Sequence, residues 1–372
     1  MRIYFDDKGD LDGLKSLLGR AVFDGARGLA VLACEENGFT AEGLEPLLKA
    51  AGAPLTGGVF PAVIHGGRAH RRGTVVLGFP GRVGAVTIKD FSSPSTDMET
   101  PLEELSARCP WARTMAVFTD GFSGCTTQFT NRLFDIFGLG INYVGGGAAS
   151  LKPGAEASLF CNEGLIKDAA VLLALEAPSG VGVSHGWQPI GQPMQATETD
   201  GNIIRTIDFR PAFDVYREVV AAASGITFGK EDFLMVTRGY PFGIARINME
   251  MIVRDPLKVE ADGSLVCAGE VPQDSYIFVM NGDEASLTEA AGKAAALAAA
   301  ALKAPPAGTG ILIDCISRLM FLGDNFPREV SRMSPAGMQC AGACTVGEIA
   351  NSGTEFLEFY NKTAVVAAMG KI

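Results

Sequence analysis

Two hydrophobic patterns alternate along this chain: short unbroken apolar runs bounded by Gly, Pro, Asn or Asp, and stretches with apolar residues at helical spacing. Gly28 to Cys34 and Ile311 to Ile313 belong to the first kind and predict strands, the second of them buried, and Met115 to Asp120 predicts another. Leu11 to Leu18 belongs to the second. Thr40 has the hydroxyl of a helix N-cap, so a helix is expected from Thr40 to Ala51. Val59 to Ile64 reads as one strand despite Pro61, and Thr74 to Phe79 with Val83 to Ile88 read as a hairpin turning at Pro80-Gly81.

Further along, a helix from about Gln128 to Phe137 follows the polar stretch Gly121 to Thr127, and Leu159 to Ile166 folds back on itself around Asn162 to Gly164. Asp208 starts a helix running to about Ala223. Phe233 to Thr237, Ile247 to Val253, Leu265 to Ala268 and Tyr276 to Met280 are expected strands, with Asp262-Gly263 as a hairpin turn. Ser286 to Lys303 reads as an Ala-rich helix capped by Ser286 and closed off by Pro305-Pro306. The fold class is therefore α/β: mixed β-sheets flanked by helices, in two domains, residues 1–205 and 206–372.

The two parts echo each other. Each has an apolar strand ending in Asp (Asp120, Asp314), a polar loop, a helix, a small-residue segment (Gly145 to Ser150, Ala341 to Glu348) and an Asn (Asn162, Asn361) before an Ala- and Val-rich strand. Duplicated halves facing each other across a central cleft produce such an echo, and so does chance, because Gly-rich turns before apolar strands are common.

Charge narrows the partners. A net charge of −11 argues against nucleic acid or an anionic membrane surface, which both demand clustered Lys and Arg. The compact basic patch Arg68 to Arg72 fits a solvated hairpin face. Apolar runs such as Ala294 to Leu302 fall short of the ~20 residues of a spanning helix, and Met1 to Asp10 is acidic where a signal peptide is basic. A cytoplasmic protein is expected, with its 8 cysteines as thiols.

Several familiar chemistries lack their residues. No Gly-x-x-x-x-Gly-Lys-Ser/Thr occurs, and Gly145-Gly146-Gly147 lacks the dinucleotide spacing. Gly121-Phe122-Ser123-Gly124-Cys125 falls short of a nucleophile elbow, and only His65, His70 and His185 are available as a base. Cys340 and Cys344 have no second pair to complete a zinc site. Cys315, at a strand end near Arg318, is either an activated thiolate or a small buried hydrophobe. An enzyme using Cys315 or Cys125 as nucleophile, or Asp120 as acid/base, is the competing class.

Arg318 and Glu348 form the leading constellation: a guanidinium fork for a carboxylate and a carboxylate for an ammonium, as a free amino acid or similar zwitterion requires. The plain alternative is a structural ion pair. Cys315, Gly347, Asp120, Ser123, Thr126, Gly146 and Gly147 complete the expected ligand wall, the glycines as backbone N–H donors.

Cys315-Ile316-Ser317-Arg318, Leu322-Gly323, Glu329, Gly347-Glu348-Ile349 and Asn361-Lys362-Thr363 resemble the FIST C-terminal domain, and Gly186, Pro189 and Gly191 are similar to a segment of the FIST N-terminal domain. The resemblance covers most of the chain from about Arg27. It implies an intracellular small-molecule-sensing module that in many relatives is wired to signalling outputs and, in a eukaryotic branch, to an F-box. It does not imply a reaction, and because the two FIST-like domains use nearly all the chain, signalling is expected to pass to a separate protein. Because some FIST-like proteins are thought to hold haem and answer nitric oxide, it also makes His185 a candidate haem ligand, against the plainer reading as a hydrogen-bonded loop His. No other cofactor is expected.

Overall fold

Val31 and Leu32 are neighbours on strand Gly28–Cys34, point to opposite faces of a sheet, and are both wholly buried. The same holds for Leu172 and Leu173 on Ala169–Leu175 and for Leu312 and Ile313 on Pro306–Cys315. These unbroken apolar runs belong to three six-stranded sheets in the computed structural model, which describes residues 1–152, 154, 158–247, 249–334, 337–351 and 356–372.

The inward faces of the three sheets share one core, where Leu32, Val75, Phe118, Leu173, Ile313 and Val365 meet. Each outward face is covered by helices. Leu11–Phe23 and Ala41–Lys49 cover the first, Glu99–Arg108 and Thr126–Phe137 the second, and Glu284–Ala301 and Phe326–Met333 the third. A fourth, eight-stranded sheet forms a separate core with helices Ala212–Ser224 and Phe233–Thr237.

The sheets draw strands from distant parts of the sequence. Ala62–His65 pairs with Gln339–Thr345, Asn142–Ala148 with Glu348–Asn351, and Ser179–Ser184 with Ala364–Gly370. Two parallel strand–helix–strand units carry the echo seen in the sequence. In one, Thr114–Asp120 lies beside Asn142–Ala148 with Asp120 opposite Ala148; in the other, Pro306–Cys315 lies beside Gln339–Thr345 with Asp314 opposite Cys344.

Several local expectations are corrected. Val59 to Ile64 is two strands, because Pro61 breaks the ladder and sends Leu55–Phe60 and Ala62–His65 to different sheets. Thr74–Phe79 and Val83–Lys89 do not pair; Pro80-Gly81 carries the chain from one sheet to another. Phe233–Thr237 is helical despite its β-favouring residues, since Phe233 packs edge-on against Phe213 and Tyr216. Of Ile247 to Val253 only Ile252 and Val253 are in a strand, and Asn248 lies outside the described residues, as does Ala336. The cap of the Ala-rich helix is Asp283, with Ser286 as the reciprocal member of a capping box.

Candidate functional site

Both parallel units end on one cavity of about 270 Å³, at the carboxyl ends of their strands, where α/β folds commonly bind ligands. One wall is the turn after Asp120 and the first turn of helix Thr126–Phe137, with Ser123, Gly124, Thr126 and Thr127. The facing wall is Cys315, Ile316 and Ser317, where strand Pro306–Cys315 passes into helix Ile316–Leu322. The eight-stranded sheet adds Asp255, and Val346, Gly347, Phe359 and Asn361 close the remaining side. Phe122, Leu151, Leu257 and Met320 are exposed hydrophobics that also line it.

Polar groups in this wall have an uneven set of partners. Asp255 is 7% exposed; its Oδ2 accepts from Ser317 Oγ at 2.9 Å and meets Lys362 Nζ at 3.2 Å. Its Oδ1 has no partner among the described residues. Asn361 is 3% exposed; its Nδ2 donates to the Tyr360 carbonyl at 3.0 Å, which fixes the amide orientation, and its Oδ1 is buried without a partner. Lys362 Nζ donates to the Arg238 carbonyl at 3.1 Å behind the wall, so among the described residues the lining includes a carboxylate and no cation.

Four of the residues singled out in the sequence line this cavity: Ser123, Thr126, Cys315 and Gly347. Gly347 has φ +78, and a Cβ there would sit 2.3 Å from the Phe359 ring, so glycine is required. Asp120 lies beside the cavity rather than in its wall; its carboxylate accepts from the Phe122 and Asp168 backbone N–H groups and shapes the turn.

The Arg318 role is corrected. The guanidinium is wholly buried, with Nε on Glu329 Oε1 at 2.7 Å, Nη1 on the His185 and Lys362 carbonyls, and Nη2 on the Leu287 carbonyl. Asp314 lies 3.3 Å away. Four of its five N–H groups are taken by the protein itself, tying four segments together, and its full burial leaves no face for a ligand.

Glu348 is corrected on the same ground. It is wholly buried and accepts from Thr345 Oγ1 at 3.1 Å and the Thr363 N–H at 3.2 Å. Burial pushes its carboxyl up to about 8 against the opposing pull of these bonds and of Arg318. Burial, reinforced by Glu348, pushes the Cys315 thiol well above its ordinary range, so it is no thiolate at neutral pH.

Gly146 and Gly147 are corrected as N–H donors to a ligand. Gly146 stands opposite Glu348 in the sheet, and Gly147 donates to the Gly347 carbonyl at 2.9 Å. A Cβ on Gly147 would lie 2.2 Å from the Val346 carbonyl oxygen, so these glycines permit close approach of two strands.

His185 lies away from this cavity. Its Nδ1 accepts the Trp187 N–H at 2.9 Å, which places the ring proton on Nε2 and leaves that nitrogen no lone pair for iron. Among the described residues no group of three His, Cys, Asp or Glu could hold a metal ion, and no helix is long and apolar enough to cross a membrane.

A model of the FIST N domain matches residues 28–210 and one of the FIST C domain matches residues 212–351. The chain belongs to the FIST family. FIST domains are generally small-ligand sensory domains of signal transduction. No curated protein matches the chain. The cavity takes walls from both FIST segments, and Phe359 and Asn361 come from beyond the matched part of the second. Asp255 escaped the sequence reading because Arg254-Asp255-Pro256 looks like an ordinary strand end. Asn361 stood within a motif of the family, but nothing in the sequence marked its amide as unpartnered.

Proposed function

We propose that this FIST protein is an intracellular sensor of a small amino-acid-like zwitterion, and that it signals through a separate protein partner. The reading rests on one observation: Asn361 Oδ1 is a buried acceptor without a partner in the wall that also holds Asp255. Two oxygens left free, Asp255 Oδ1 and Asn361 Oδ1, suit an ammonium or another donor-rich head. The first turn of helix Thr126–Phe137 supplies backbone N–H groups on another wall for a carboxylate. Ligand size is bounded by about 270 Å³, which favours a compact molecule.

An enzyme reading draws less support. Its nucleophile would be Cys315, whose thiol is held protonated by burial and by the nearby Glu348. Calorimetric titration of the common amino acids into the wild type and Asp255→Asn tests the proposal. Binding by the wild type that Asp255→Asn abolishes is expected; equal binding by both removes the ammonium site.

A further inference from the structure

Behind the turn that carries Asn361 lies a second cavity, of about 430 Å³. Residues of that turn alternate between the two: Phe359 and Asn361 line the first, Tyr360 and Thr363 the second. The second cavity holds a buried donor without a well-formed hydrogen bond. Because Nδ1 of His185 accepts the Trp187 N–H, Nε2 carries the proton, and this Nε2 makes no hydrogen bond of good geometry although the residue is only 5% exposed, the Met251 backbone being its nearby but poorly placed acceptor. Burial lowers the imidazole to about 4, so at neutral pH the ring is an uncharged N–H donor.

Arg246 lines the same cavity. Its side chain is 15% exposed and has one ion-pair partner among the described residues, Glu358 at 3.6 Å, a distance that leaves most of the fork unfilled. Arg254 differs: it donates to the carbonyls of Glu270, Val253 and Phe359. Glu250, the carboxylate in this wall, is engaged at Oε1 by Ser184 at 2.9 Å and by Lys293 at 3.4 Å. Met249, Met251 and Leu297 give the cavity an apolar side.

We infer that this second cavity binds a small organic acid, its carboxylate held by the Arg246 fork and His185 Nε2–H and its apolar body resting on Met249, Met251 and Leu297. A planar carboxylate matches a guanidinium fork, and it fills the vacant acceptor position at the imidazole.

The test is calorimetric titration with acetate and benzoate, using benzyl alcohol as the uncharged control, together with the NMR signal of the His185 ring Nε2–H. At least one of the two acids is expected to bind and to move that signal, while benzyl alcohol does neither. Arg246→Gln is expected to weaken the acid about tenfold or more, the share of one charge-assisted hydrogen bond, with unfolding temperature unchanged. The inference is overturned if neither acid moves the His185 signal, if benzyl alcohol binds as well as benzoate, or if Arg246→Gln binds like the wild type.

Discussion

Lys362 Nζ meets Asp255 Oδ2 at 3.2 Å, with the ammonium buried behind the cavity of about 270 Å³ and the carboxylate forming part of its wall. The lysine backbone has φ 51, a left-handed conformation unusual for a long side chain. Its carbonyl accepts from Trp187 Nε1 and from Arg318 Nη1, both at 3.0 Å. One residue thus joins the cavity wall to the buried polar core.

Asp255→Asn therefore affects more than a ligand. The amide still offers an oxygen to Ser317 and Lys362, but the buried ammonium loses its counter-charge. A loss of about 3 kcal/mol in urea unfolding is expected, the low end for an uncompensated buried charge. Unchanged stability would mean that Lys362 is satisfied by the Arg238 carbonyl and the Trp187 ring alone.

Arg318→Met should lower stability by about 3–5 kcal/mol, because Asp314 and Glu329 remain buried without their cation and three carbonyls lose a donor. Urea midpoints measure it. Arg318→Lys should fall close to Met, since an ammonium cannot reproduce the fork. A lysine variant as stable as the wild type would contradict the role given to that geometry.

Stability should fall as pH rises from 6.5 to 8. Glu348 titrates at about 8 when folded against an ordinary 4.5, so the folded chain holds a proton that the unfolded chain has released. One such proton gives a slope of about 1.4 kcal/mol per pH unit, and Asp314, also raised by burial, acts in the same sense. Below 6.5 His185 opposes them: its folded pKa is lowered to about 4, so acid favours the unfolded chain. Urea unfolding of Glu348→Gln across this range should lose one proton's share of the slope. An identical slope in wild type and variant would place the titration elsewhere.

Thiol chemistry separates binding from catalysis. Cys125 is partly exposed and should react first with a maleimide in the folded protein, Cys340 should follow more slowly because burial pushes its thiol up to about 11, and Cys315 should react only on unfolding. Mass spectrometry of the labelled peptides reads the order. Fast modification of Cys315 at neutral pH would favour the enzyme.

Much of the fold was legible because buried strands announce themselves. Gly28 to Cys34 and Ile311 to Ile313 are apolar at every position, and such runs form where both faces of a sheet are covered. Pro61 and Pro80-Gly81 were read locally as an imperfect strand and a turn, but each moves the chain between sheets, a choice made by distant partners such as Gln339–Thr345. The site was half legible. Ser123, Thr126, Cys315 and Gly347 lie at strand ends and turns, where sequence places exposed chemistry. Arg318 and Glu348 misled because charge suggests a ligand, while burial and local carbonyls decide whether a charge is free, and neither is written in the order of residues.

Asn361→Ala is the most direct measurement. It removes an unpartnered oxygen together with one hydrogen bond, from Nδ2 to the Tyr360 carbonyl, so urea unfolding should show a loss of about 1 kcal/mol and leave the protein folded. Calorimetry should show the amino acid that binds the wild type binding about tenfold or more weakly to the variant, the loss of one hydrogen bond to a charged group. Undiminished affinity in a folded Asn361→Ala protein would contradict the account.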